Sequence, residues 1–234
     1  MKKLFISHIA LDEKLALELK KWIEGVFKRK CGVFVSGSFK DIKPGDRWVR
    51  QLRKGLFASE LVLVICTKKS MNSRWVMFEA GSAWARNVPI LPIRCDAQMD
   101  LPVLLDENQA LHFSEPGFSE ALIKALGATI KLSAGRYPGF NKMTNALQNV
   151  YRSVKLDSDI IDRIKRVKTD KKLRAIECTP ERLAAHFRTR LPKSTTELVQ
   201  HAEALVRKGY LKRIENRIIG PYYSLTPKSE GFLL

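Results

Sequence analysis

The chain of 234 residues has no stretch that could cross a bilayer as a helix, since no window approaches the ~20 consecutive apolar residues required. Its longest apolar run, Leu61–Cys66, has only the length of a buried strand. No secretory leader is expected, because Met1-Lys2-Lys3 passes straight into a short strand-like run and then charges. A cytoplasmic protein is expected. The four cysteines, Cys31, Cys66, Cys95 and Cys178, are far apart, form no C-x-x-C pair and have no histidine at metal-ligand spacing. That argues against a metal site and a disulfide framework, and for reduced thiols that pack as small hydrophobes. No internal repeat and no low-complexity tract is present.

Acidic residues are the scarce charge. There are 42 Lys+Arg against 24 Asp+Glu, a formal +18. The excess is uneven: residues 1–130 hold 20 basic and 14 acidic side chains, residues 131–234 hold 22 and 10. The shorter part carries two thirds of the excess, which points to an anionic partner there. A solubilising surface is the alternative.

What is present in the first part is alternation. Leu4–Ser7, Cys31–Val35, Leu61–Thr67, Val88–Arg94 and Ala110–Phe113 have strand composition, and helical spacing recurs between them. The predicted helices cover Leu11–Phe27, Asp46–Phe57, Arg74–Arg86 and Phe118–Ile130. Strand and helix in turn, with β-branched strands, predict an α/β fold with a parallel sheet, in the flavodoxin-like order 2-1-3-4-5. Ligands of such sheets bind beyond the carboxyl ends of the strands, which selects the loops after Ile6, Val35 and Cys66. Trp75 and Glu79 are four apart, on one face of a helix that begins past strand three. An indole beside a carboxylate suits a flat ring and a sugar or a developing cation.

Residues 132–154 read as a linker and connecting helix, with the helix over Lys142–Val154. The predicted elements beyond it are helices over Asp157–Val167, Pro180–Arg188 and Thr195–Lys208, then strands Leu211–Ile214 and Tyr222–Leu225. Thr179-Pro180 and Ser194-Thr195-Thr196-Glu197 are helix starts, and Gly209 fits a left-handed helix end.

Residues 1–131 resemble the TIR (Toll/interleukin-1 receptor) domain family. Phe5-Ile6-Ser7-His8 with Asp12 resembles its first strand and loop, and Asp41-Ile42-Lys43-Pro44-Gly45 with Trp48 its loop after strand two. Ser70, Ser73-Arg74-Trp75-Val76 and Glu79 resemble its third helix, and Val88–Ile93 its fourth strand. His8 stands where the family more often has tyrosine. The resemblance implies that Glu79 is the catalytic carboxylate of an NAD⁺ nucleosidase, with Trp75, Ser7 and His8 contacting substrate. NAD⁺ is then substrate, and no cofactor or metal is implied. It further implies self-association through a loop bearing Phe39, Asp41, Pro44 and Gly45, and an assembly-activated role in prokaryotic antiphage defence. A non-enzymatic TIR scaffold, or a DNA-binding regulator that self-associates through this domain, is the rival reading. Residues 155–234 resemble a small winged helix-turn-helix domain. That resemblance implies nucleic-acid contacts at Thr195, Thr196, Gln200, Arg207, Lys212, Arg213 and Arg217, or else a protein partner.

Overall fold

The computed structural model describes residues 1–28, 30–36, 47–96, 99–107, 110–134, 139–169, 178–188, 195–217 and 221–227, without the side chains of residues 47–49, 51, 188 and 195. The chain forms two compact units, residues 1–151 and 152–234. The first holds strands β1 (Lys2–Ser7), β2 (Cys31–Val35), β3 (Leu61–Cys66), β4 (Ile90–Arg94) and β5 (Leu111–His112). Its helices are α1 (Glu13–Val26), α2 (Arg47–Phe57), α3 (Arg74–Trp84), α4 (Val103–Asp106), α5 (Phe118–Ile130) and the first part of α6 (Phe140–Thr169). All strand pairs are parallel and the order is β2-β1-β3-β4-β5, as the alternation predicts.

Burial follows from position in the sheet. β3 pairs on both sides and is buried at all six residues, which explains its unbroken apolar run. β2 pairs only with β1 and alternates between buried and half-buried residues. Its open edge is covered at the centre. The Val33 N–H donates to Glu24 Oε1 at 2.9 Å and the Val33 carbonyl accepts from Lys20 Nζ at 2.5 Å. Lys20 and Glu24 lie one turn apart on α1 and pair at 2.6 Å. Charged side chains on an edge strand are a common guard against unwanted strand pairing. α1 turns Leu15, Leu19, Ile23 and Val26 inward at helical spacing. α5 buries Leu122, Leu126 and Ile130, and it ends on Lys131 in a left-handed turn with φ 54°. A Cβ at Gly127 would stand 2.7 Å from the Leu132 carbonyl oxygen, so that turn requires glycine.

Most element ends differ from the sequence reading by one or two residues, and a few differences are larger. β5 is two residues long, and Val88 and Pro89 precede β4 rather than open it. The short helix α4 gave no periodic signal, having a single turn. The connecting helix and the next one are one: no Gly or Pro interrupts residues 140–169, and α6 runs through thirty residues. Met143 and Leu147 of α6 join the core of the first unit, with Val150 and Tyr151 packed against it.

The second unit contains α6 from Arg152 onward, α7 (Pro180–Arg188), α8 (Thr195–Arg207) and the antiparallel hairpin β6 (Leu211–Ile214) and β7 (Tyr222–Leu225). This order is compatible with a winged helix. Gly209 ends α8 with φ 75°, as expected. Buried Asp157 of α6 accepts from His201 Nδ1 at 2.7 Å and from Lys208 Nζ at 3.4 Å. The Tyr223 hydroxyl donates to Glu203 of α8 at 2.8 Å, which holds the hairpin to that helix. Among the described residues no helix is long and apolar enough to cross a membrane.

Candidate active site

The carboxyl ends of β1 and β2 and the first turns of α3 meet at one point. β1 delivers Ser7 and His8, β2 delivers Ser36, and α3 delivers Trp75 and Glu79. The start of α3 is held firmly. Ser73 caps it by accepting from the Val76 N–H at 3.4 Å. Just before it, Ser70 Oγ donates to the Ile65 carbonyl at 2.7 Å and accepts from the Thr67 N–H at 2.7 Å. Thr67 Oγ1 accepts from the Ser70 N–H at 3.2 Å and donates to Asp12 at 3.0 Å. These bonds tie the end of β3 to the helix that carries Glu79.

Glu79 is fully buried, at 0% exposure. The Ser7 hydroxyl donates to Glu79 Oε2 at 2.5 Å. Among the described residues Oε1 has no hydrogen-bond partner. Burial pushes the Glu79 carboxyl up to about 7, against the opposing influence of Ser7, Ser36 and Trp75. His8 is buried as well, with Nδ1 3.2 Å from Ser36 Oγ and Nε2 unpartnered. Burial lowers its pKa to about 4, against the Ile6 carbonyl, so the imidazole is neutral at physiological pH. Trp75 is 38% exposed, with its ring tilted against that of Phe78 at 5.6 Å.

The contacts of four contributing residues escaped the sequence reading, which named Asp12 and Ser70 only as motif positions. Ser36 links His8 to the Glu79 environment, and its only sequence signal was its place directly after β2. Asp12 was noted solely as a motif position. It is buried, and burial first, then Asp96, pushes its carboxyl up to about 7, against Thr67 and Lys69. Thr67 and Ser70 act through the turn just described. Nearby, the Tyr151 hydroxyl donates to Asp96 at 2.7 Å. The four cysteines are free and buried, and burial pushes Cys31 up to about 11 and Cys66 up to about 12, as inert thiols require. Among the described residues no group of three or more His, Cys, Asp or Glu could hold a metal ion.

Phe39, Asp41, Pro44 and Gly45 lie outside the described residues. In the second unit, Thr196, Gln200 and Arg207 are exposed on α8, and Lys212, Arg213 and Arg217 are exposed on or beside the hairpin. The Thr195 side chain lies outside the described residues. Arg213 is paired with Glu203 at 3.2 Å and Glu215 at 3.0 Å, so its charge is shared between two carboxylates.

No curated protein matches the chain. The model of the TIR domain family matches residues 4–126, more than half of the sequence, and these residues include the whole parallel sheet from Leu4 onward together with Ser7, His8, Ser36, Trp75 and Glu79. The chain belongs to the TIR domain family.

Proposed function

We propose that the TIR unit is an NAD⁺ nucleosidase with Glu79 as its catalytic carboxylate. One observation carries the reading: a fully buried glutamate at the carboxyl end of the sheet, with a hydroxyl 2.5 Å from one oxygen and the other oxygen unpartnered. A buried, incompletely satisfied carboxylate lowers stability, and such groups cluster where chemistry needs them.

The bond broken joins C1′ of ribose to the nicotinamide nitrogen. The electron pair leaves with nicotinamide, which departs neutral and needs no proton. Positive charge then grows on C1′ and the ring oxygen, as in glycoside cleavage. Ionised Glu79 offsets that charge in a site screened from water. The positively charged substrate itself favours the ionised form. Water captures C1′ and releases its second proton to give ADP-ribose, or an adenine nitrogen captures it to give a cyclic product. Trp75 offers a flat surface to a ring.

NAD⁺ turnover by the full chain and its Glu79→Ala variant tests the assignment; equal turnover would sink it. Self-association is the proposed activator, since TIR domains commonly self-associate, and turnover should then rise more steeply than protein concentration. Strictly proportional turnover contradicts that part. Exposed Trp75, Phe78 and Trp84 on α3 favour a scaffold as the second reading. The basic second unit is the proposed sensor, docking on nucleic acid through Thr196, Gln200, Arg207, Lys212 and Arg217. Affinity for duplex DNA should fall steeply with salt, and binding unchanged by salt would favour a protein partner.

A further inference from the structure

A groove runs between α2 and the faces of β1 and β2, with a volume of ≈ 570 Å³, in the range of small-molecule sites. Lys3 and Gly32, partners in the register near the amino ends of these strands, line it, whereas Ser7 and Ser36 lie at the carboxyl ends. Met1, Phe34 and Ala58 complete an apolar floor. Gly32 is the informative residue. It stands inside an edge strand with unbroken register and without a positive φ, so neither a bulge nor a turn calls for it. A glycine there weakens the strand, and it marks a place where a ligand or another backbone comes close. Among the described residues no backbone lies within 4 Å of a Cβ built on it; that Cβ would meet only the tip of Met1, the methyl at 3.0 Å and the sulfur at 3.9 Å. Met1 is 83% exposed, so its tip has room to turn aside.

The rim carries the charge. Lys20 is engaged by Glu24 and by the Val33 carbonyl. Lys3 and Lys54 are exposed and, among the described residues, pair with no carboxylate. An anion therefore complements this rim. The floor selects the body of the ligand. The Phe34 ring is already packed, with Phe5 stacked on it at 5.5 Å and α2 so close that a Cβ on Gly55 would fall 2.8 Å from it. Little of that ring remains for a flat aromatic ligand, and a flexible aliphatic chain fits the open floor over Gly32 better. We propose that this groove binds a small aliphatic anion, its chain lying over Gly32 under the tip of Met1 and its carboxylate or phosphate head at Lys3 and Lys54. The proposal does not rest on NAD⁺ being the substrate.

Calorimetry on the full chain tests it, with decanoate and decyl phosphate as probes, below the concentrations at which they form micelles, and decylammonium as the cationic control. Wild type should bind at least one of the two anions, and decylammonium more weakly. Gly32→Ile puts a strand-compatible side chain into the groove, where only the tip of Met1 has to move, and should weaken anion binding by about tenfold or more. Lys3→Gln combined with Lys54→Gln leaves the backbone untouched, which keeps the test open should Gly32→Ile not fold. It should weaken the anion by about fivefold, the size of two exposed charge contacts, and leave decylammonium unweakened. Lys14→Gln combined with Lys68→Gln removes the same charge from exposed positions outside the groove and should leave affinity as in wild type. A wild type that binds neither anion overturns the proposal, and so do equal affinities in wild type and the groove variants, or equal losses in the two lysine pairs. Binding to phosphatidylglycerol vesicles without binding to either free anion also overturns it, because the lysines would then meet a membrane surface.

Discussion

Replacing Glu79 by glutamine should stabilise the TIR unit increasingly as the pH rises. The carboxyl titrates near its ordinary 4.5 in the unfolded chain and at about 7 in the folded one. Its folded pKa is raised, so the folded protein holds the proton more tightly. The stability linked to that proton is complete below pH 4.5 and is lost as the pH climbs to 7. With these two values the loss is about 1 kcal/mol at pH 5 and about 3 kcal/mol at pH 8. Glutamine cannot ionise, and whatever its own hydrogen-bonding cost, that cost does not change with pH. The difference in stability between variant and wild type should therefore move by about 2 kcal/mol in the variant's favour between pH 5 and pH 8. Urea unfolding followed by tryptophan fluorescence measures it, because all four tryptophans, Trp22, Trp48, Trp75 and Trp84, lie in the first unit. A difference equal at the two pH values would refute the burial of a chargeable carboxylate at this position. The same experiment weighs function against stability: a glutamate that costs the fold this much at neutral pH is retained for another reason.

Three other outcomes follow from the same geometry. His8 has a lowered folded pKa, about 4 against 6.5, so its contribution is present above pH 6.5 and lost as the pH falls through 4. Between pH 8 and pH 4, wild type should lose about 3 kcal/mol relative to His8→Leu, and parallel acid profiles would contradict a buried neutral imidazole. Tyr151→Phe removes the 2.7 Å bond to Asp96 and should cost about 1 kcal/mol in thermal or urea unfolding; no loss would mean the bond is not made in solution. Gly127→Ala should cost about 1–3 kcal/mol, because its Cβ meets the Leu132 carbonyl. Gly81→Ala, in open space within α3, should gain about 0.5–1 kcal/mol, and equal effects at the two glycines would show that helix propensity alone decides both.

The sheet was legible because its information is local. Leu61–Cys66 could be recognised as a central strand from six residues, and the alternation with helices dictates parallel pairing and order. Trp75 and Glu79 were legible as a pair for the same reason, being one helical turn apart. The chemistry around Glu79 was not. Ser7 meets Glu79 across 72 residues of sequence, Ser36 meets His8 across 28, and Thr67 meets Asp12 across 55. No periodicity encodes such encounters; the parallel register makes them by bringing strand ends together. The sheet rule named the loops after Ile6, Val35 and Cys66, so it found the neighbourhood, though not which hydroxyl faced which carboxylate. Helix α6 failed in the opposite direction. Two helices were expected, over Lys142–Val154 and Asp157–Val167, but without glycine or proline nothing ends the helix between them, and Asp157 is buried against His201 of α8 and Lys208 just beyond it.

The ion pair that occupies the main chain of Val33 bears on how copies of this protein can meet. Amyloid and strand-exchanged assemblies grow by templating, each new chain reading hydrogen-bonding groups left open by the last. At β2 the central donor and acceptor are already spent on Glu24 and Lys20. Addition of a strand across the centre of β2 is therefore blocked. Lys20→Ala combined with Glu24→Ala should remove that safeguard, and the signature would be thioflavin-positive aggregate from a protein whose fold is otherwise intact.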